Sequence, residues 1–241
     1  MLFFYLILRY QFTFFSIVYH DKIWAHKVND VEKLDLTREK FSGVELDIVY
    51  MGKLNKFDIH HPPELPSDFY LFDYFKKTTE NKKLKYWLDY KNLNDKNHIL
   101  SSKLLDSIVS YYKINRMNII VESTSPRYLK LFSKYGFRTA YYLPSNLKFL
   151  DSVTLNLKLR EIEGIIKNNK NIDFVSSYLS DYKIIRSRFP NTNFIGWTLE
   201  IDKPIFTSYK YFKKTVRKFF TRLKILNDSS VEVVLIRFIY N

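Results

Sequence analysis

With 241 residues, 46% of them apolar and 18% aromatic, and only five Gly, the chain is large enough to bury a substantial core, which excludes a disordered or low-complexity protein. The absence of Cys removes disulfides, thiolate metal sites and thiol nucleophiles. A formal charge of +14 suits an anionic partner, whether nucleic acid, an anionic membrane surface or a phosphorylated substrate. No RNP, helix-turn-helix or Gly-rich phosphate-loop pattern accompanies that charge, so no specific nucleic-acid partner is expected.

Residues 1–19 carry two apolar runs interrupted by Arg9 and Gln11. A membrane-spanning helix needs about 20 apolar residues, and an Arg near its centre costs about 2.5–3.5 kcal/mol. The segment also lacks the basic start and small-residue cleavage site of a signal peptide. It reads as a candidate membrane anchor, an interfacial helix or a segment packed on the domain formed by residues 20–241. Localisation stays open between membrane-associated and cytoplasmic.

From residue 23 onward a rhythm sets in. Residues 23–28 read as a strand, and 31–40 as a helix with Asn29 or Asp30 as its N-cap. Residues 44–50 form the next strand, opened by Gly43, and 57–61 a short extended piece stopped by Pro62-Pro63. Further strands are expected to begin near residues 85, 117, 137, 173, 193 and 231. Helices are expected over 71–82, 99–112, 125–135 (Ser125 as cap, Pro126 at its first position, Gly136 as stop), 146–169, 180–188 and 204–226. Eight strands, each but the last followed by a helix, are the arithmetic of a single α/β domain of the (β/α)8 TIM-barrel type. A doubly wound open sheet is the alternative, and it lacks the usual Gly-rich first turn.

In such a barrel the chemistry sits at the carboxyl ends of the strands. Side chains alternate along a strand, so Glu45 and Asp47 share one face while Val44, Leu46 and Ile48 share the other. Two carboxylates that close require positive charge between them, either a cation or a Lys/Arg. The first strand ends in His26 and Lys27, the piece after the second in His60 and His61, and the third in Asp89 and Lys91, again on one face. Oxygen donors from Glu45, Asp47 and Asp89, without sulfur, suit Mg2+ or Ca2+, one divalent ion. Two imidazoles beside it can divide the acid and base roles, and Lys91 with Lys27 can meet negative charge on a substrate. The set matches displacement at a phosphodiester.

The stretches "WAHKVND", "VELDIVY", "HHPPELPSD" and "WLDYKNL" resemble the phosphatidylinositol-phospholipase-C-like phosphodiesterase superfamily. That superfamily includes glycerophosphodiester phosphodiesterases and sphingomyelinase D toxins, and the stretches are most similar to its menorin-type branch and bacterial relatives. The resemblance implies His26 and His61 as the acid/base pair, Glu45, Asp47 and Asp89 as metal ligands, and Lys91 against phosphate. It also implies a glycerophosphodiester, phospholipid or related phosphodiester as substrate. Where glycerophosphodiesterases often place Arg-Gly after the first His, this chain has Lys27-Val28.

Other residues leave alternatives open. His60 and His61 face opposite ways in an extended segment, and the resemblance favours His61. Asp58 is expected to pair with a nearby Lys. Glu122 is expected in the same mouth as a hydrogen-bond acceptor supporting the metal ligands, Tyr142 and Trp197 as pocket walls, and Arg127 as a phosphate contact. Glu122 and Glu200 as a carboxylate pair would instead make a glycoside hydrolase. A catalytically silent barrel that binds a membrane or partner is the remaining alternative. Its basis is the basic helix near the C-terminus, whose stripe of Phe212, Val216, Phe219, Phe220 and Leu223 packs inward or meets anionic lipid.

Overall fold

Strands and helices alternate from Ile23 onward in the computed structural model, which describes residues 6, 10–79, 83–199 and 209–237. A first helix, α1 (Gln11–Val18), precedes β1 (Ile23–Ala25), α2 (Val31–Thr37), β2 (Gly43–Met51) and the short β3 (Lys56–Asp58). Then come α3 (Leu71–Thr78), β4 (Lys85–Tyr90), α4 (His98–Tyr111), β5 (Ile119–Ser123), α5 (Lys130–Lys134) and β6 (Arg138–Tyr142). The chain continues through α6 (Ser152–Asn168), β7 (Phe174–Tyr178), α7 (Tyr182–Arg188), β8 (Asn193–Leu199), α8 (Tyr209–Leu226) and β9 (Val231–Ile236).

Strands β1, β2 and β4 to β9 pair in parallel, and β1 pairs with both β9 and β2, which closes the sheet into a (β/α)8 barrel. β3 lies outside the closed ring, antiparallel on the end of β2 with Val49 opposite Asp58. Period-two alternation divides the apolar residues into two cores. Trp24, Trp87, Ile120, Ala140, Phe174, Ile195, Val233 and Leu235 fill the barrel. Val44, Leu46, Ile48, Leu88, Val121 and Val175 point outward under the helices.

Several local expectations change. Asp30, not Asn29, caps α2 by accepting a hydrogen bond from Lys33 N, which leaves the Asn29 side chain for another partner. Ser125 makes no capping bond, and the stretch after it divides into a 3-10 turn (Pro126–Tyr128) and α5. Gly136 then takes a left-handed φ of +89°, as expected of a helix stop. The 146–169 stretch is also two pieces, a 3-10 turn at Leu147–Phe149 and α6 capped by Asp151. Pairing in β3 ends at Asp58, earlier than expected, because the following residues turn into a loop bound to the Asp58 carboxylate.

The described part of the N-terminal segment packs on the barrel. Phe15 is fully buried, its ring 5.3 Å from that of Phe219 in α8, and Arg222 donates to Gln11 Oε1 at 2.6 Å. Among the described residues no helix is long and apolar enough to cross a membrane, and residues 1–5 and 7–9 lie outside them. In α8 the expected stripe turns Phe219 into the core with Phe212, Val216 and Leu223 against it, while Phe220 stays 54% exposed.

Gly43 marks a close approach inside the barrel. A Cβ there would lie 2.3–2.7 Å from ring atoms of Trp24, which is itself buried at the floor of the interior core. Gly43→Val is therefore expected to displace the indole and lower unfolding free energy by about 1–3 kcal/mol, as overpacking does. Urea denaturation followed by tryptophan fluorescence checks this, and an unchanged midpoint would contradict the packing.

Candidate functional site

Parallel pairing sets the inward residues of adjacent strands level with one another: Asp47 opposite Asp89, and Asp89 opposite Glu122. β2, β4 and β5 thereby bring four carboxylates, counting Glu45 one turn of the pleat below, to the same end of the barrel. One oxygen from each of Glu45, Asp47 and Asp89 lies within 4.8 Å of the others. Part of the required positive charge comes from the chain itself. Lys91 Nζ is 2.7 Å from Asp47 Oδ1 and also pairs with Asp89 Oδ2.

The turn after β1 completes this arrangement. His26 N donates to Ile236 O, and Lys27, in the left-handed region at φ 54°, directs its N–H to Glu45 Oε2 at 2.7 Å. Lys33 reaches back from α2 to the carbonyls of His26 and Lys27 at 2.7 and 2.8 Å, holding that turn. Asn29 binds Asp47 twice, donating from Nδ2 to Oδ2 at 2.7 Å and accepting the Asp47 backbone N–H at 2.9 Å. His26 Nε2 lies 3.6 Å from Glu45 Oε2.

A cleft of about 130 Å3 opens here, lined by His26, His61, the three clustered carboxylates and Lys91. Tyr142, Tyr178 and Trp197 form an aromatic cluster in its wall, with ring centroids 4.1 Å apart for Tyr142–Trp197 and 5.0 Å for Tyr178–Trp197. Trp87, Glu122 and Leu235 line it from below, and Lys27 lines it from the β1 turn.

Burial dominates the electrostatics. It lowers the His26 pKa from 6.5 to about 4, with the charges of Lys27, Lys33 and Arg237 acting in the same direction, so the imidazole is neutral near pH 7. Burial and then the charges of Asp47 and Asp89 push Glu45 well above the usual carboxylate range. At Asp47 burial is outweighed by the Lys91 charge and hydrogen bonds from Lys91 and Asn29, and the net shift is downward. At Asp89 burial prevails over Lys91 and the shift is upward. Glu122 is raised by burial and then by Asp89, while Trp87 Nε1 donates to it at 3.0 Å and Ser176 Oγ donates to its other oxygen.

No protein-family model matches the chain, and no curated protein matches it in sequence. Solved structures do match in shape. A glycerophosphodiester phosphodiesterase from Parabacteroides distasonis aligns at TM-score 0.53 and 14% identity over 90% of this chain and 92% of that one. A protein assigned as a glycerophosphoryl diester phosphodiesterase from Silicibacter pomeroyi aligns at 0.61 and 9%, over 89% of each chain. An Oleispira antarctica phosphodiesterase in complex with the product sn-glycerol-3-phosphate aligns at 0.50 and 9%, over 89% of this chain and 99% of that one. The barrel is similar to that of glycerophosphodiester phosphodiesterases. At such identities the likeness is one of fold.

Within this barrel, His26, Lys27, Glu45, Asp47, His61, Asp89, Lys91, Glu122, Tyr142 and Trp197 share the cleft. Arg127 does not join them: it is exposed and stacks on Tyr128 at 4.6 Å, because the loop after β5 turns it away. Asp58 pairs with His60, at 2.6 Å, where a lysine was expected. Glu200 lies outside the described residues, so its pairing with Glu122 is not placed. Reading the sequence alone missed Asn29, which was taken only as a capping candidate, together with Trp87, Ser176 and Tyr178. The signal was there for the last three, which lie two residues before Asp89 or alternate along β7 on the inward face.

The depressed His26 pKa has a testable sign. Below pH 6.5 the unfolded chain takes up a proton that the folded chain refuses down to about pH 4. The stability His26 contributes is therefore complete above pH 6.5 and is lost as pH falls toward 4, by at most on the order of 3 kcal/mol. In metal-free protein, His26→Gln is expected to flatten the stability profile between these pH values, and NMR titration is expected to find the His26 midpoint near 4. A midpoint at 6.5 would contradict the burial.

Proposed function

We propose that the chain is a metal-dependent phosphodiesterase that acts on a glycerophosphodiester, phospholipid or related phosphodiester by histidine acid/base catalysis. The observation that carries this reading is the convergence of three carboxylates, a lysine and two imidazoles on one small cleft. Shared fold with phosphodiesterases, one of them bound to sn-glycerol-3-phosphate, supports the substrate class. The sequence stretches that resemble the wider phosphodiesterase superfamily imply the same chemistry.

Glu45, Asp47 and Asp89 fit a hard divalent cation, since their donors are all oxygen and lie within reach of a common point. These three residues would hold Mg2+ or Ca2+, which when bound supplies charge stabilisation to the phosphoryl oxygens. His26, neutral at pH 7, is suited to accept the proton of the attacking hydroxyl, and the resemblance implies that this hydroxyl belongs to the substrate. His61, which lines the same cleft, is suited to return a proton to the departing alkoxide. As the new O–P bond forms and the old one breaks, the phosphate charge stays beside Lys91, whose ammonium is fixed by Asp47 and Asp89. Lys27 and the Tyr142–Trp197–Tyr178 wall would orient the alcohol and exclude water.

A second reading, a silent barrel that binds a membrane or partner, is favoured by one feature: Lys91 already neutralises part of the acidic cluster without a metal. The two separate cleanly. On the enzyme reading, turnover of glycerophosphodiesters and lysophospholipids needs Mg2+ or Ca2+ and stops with EDTA, and His26→Ala or His61→Ala lowers kcat by about 10²–10⁴-fold. Calorimetry is expected to find divalent binding that disappears in Asp47→Asn and Asp89→Asn. Absence of both turnover and metal binding in the wild type would instead support the silent barrel.

A further inference from the structure

Asp58, at the end of β3, is fully buried and is no part of the cleft. Its Oδ1 accepts from His60 Nδ1 at 2.6 Å and from Ser67 N at 3.0 Å, and its Oδ2 accepts from Asp68 N at 3.0 Å. A carboxylate only accepts hydrogen bonds, so Nδ1 is the protonated nitrogen of His60. The loop is tied a second time at its ends, by Ser67 Oγ donating to Ile59 O at 2.9 Å and Ile59 N donating to Phe69 O at 3.0 Å. Residues 59–69 are thus folded back on one buried carboxylate.

His61 is the next residue. His60 is only 7% exposed and is turned toward Asp58, whereas His61 lines the cleft beside Asp47 and Asp89. The two imidazoles sit on adjacent residues of this loop, one held at Asp58 and the other in the cleft. Fixing one imidazole therefore fixes the direction of the other. A loop held only by its own prolines would let His61 swing, and misplacement by about 1 Å can cost about 10²-fold in rate.

We propose that the Asp58–His60 hydrogen bond is a positioning device that acts on the reaction only through the placement of the His61 imidazole. This rests on the phosphodiesterase reading above, and its test is chosen to separate the two.

The experiment compares the full chain with His60→Ala, Asp58→Asn, His60→Asn and His60→Gln. It measures glycerophosphodiester turnover, Mg2+ affinity, thermal unfolding, and the rate at which diethyl pyrocarbonate modifies His61, read by mass spectrometry. An Asn side chain can return an N–H at the position of Nδ1, whereas Gln places it near Nε2. His60→Ala, Asp58→Asn and His60→Gln are expected to lower kcat by about 10–100-fold with KM within about threefold, leave Mg2+ affinity unchanged and alter the His61 modification rate. His60→Asn is expected to restore both kcat and modification rate to within about threefold of wild type. If His60→Ala does not fold, the contrast between Asn and Gln carries the test.

Unchanged kcat and unchanged His61 reactivity in His60→Ala and His60→Gln would overturn the proposal. So would a His60→Asn variant as impaired as His60→Gln, since His60 would then take part in proton transfer itself. Should the wild type turn over no phosphodiester, the functional reading fails while the positioning claim is still judged: a His61 modification rate altered by Gln and restored by Asn supports it, and an unaltered rate overturns it.

Discussion

Burial of like charge is the constraint on which the rest of this structure depends. Glu45, Asp47, Asp89 and Glu122 are each 9% exposed or less, at one end of one barrel. Two unit charges 4.8 Å apart repel by roughly 3.5 kcal/mol at an effective dielectric of about 20, so such a group folds only with compensation. The chain supplies it in pieces. Lys91 stands between two of the carboxylates, the Lys27 N–H turns onto Glu45, Asn29 grips Asp47 from both sides, and Trp87 with Ser176 satisfies Glu122. Burial, and after it the neighbouring carboxylates, still raises Glu45, Asp89 and Glu122, because one ammonium among four acids is an incomplete balance. A divalent cation would complete it, and that links the electrostatics of the fold to the proposed chemistry.

The two ends of the barrel meet charge differently. At the opposite end to the cleft, charges are paired off locally. Arg138 pairs with Glu232, and Lys22 donates to the carbonyls of Leu226 and Asp228. Asp228 collects Tyr182, Ser230 and Arg186; burial opposes ionisation there, but these partners prevail and hold its pKa at about 2. Such an end is built for stability. The cleft end retains an unbalanced cluster, a neutral histidine and an aromatic wall, all of which are more useful to a substrate than to the fold.

Much of this was legible along the chain. The eight-strand alternation survives because each strand has an outward face that packs under the helices and an inward face that fills the barrel, and in Val44-Glu45-Leu46-Asp47-Ile48 that inward face must also find countercharge. Spacing by two put Asp89 and Lys91 on the same face and placed both in the cleft. What was less legible lay in turns. Asn29 and Asp30 are equally good caps by residue type, and only the path of the chain after β1 gave the cap to Asp30 and left Asn29 for Asp47. Arg127 follows a strand end, yet the short 3-10 turn after β5 points it outward onto Tyr128. Asp58 found an imidazole two residues away instead of one of the abundant lysines, since a local partner forms with less loss of chain freedom.

The amino-acid sequence by itself determined which residues alternate, and hence the strand count, the barrel class, the division of apolar from acidic faces, and the need for positive charge beside Glu45 and Asp47. Only the tertiary structure decided that Lys91 meets this need, that Trp87 and Tyr178 line the same cleft, and that His60 turns away from it. The reason is that alternation is a property of neighbours along one strand. Registry between strands, and the direction of a turn's side chains, is set by how the sheet closes and how the loops pack against it.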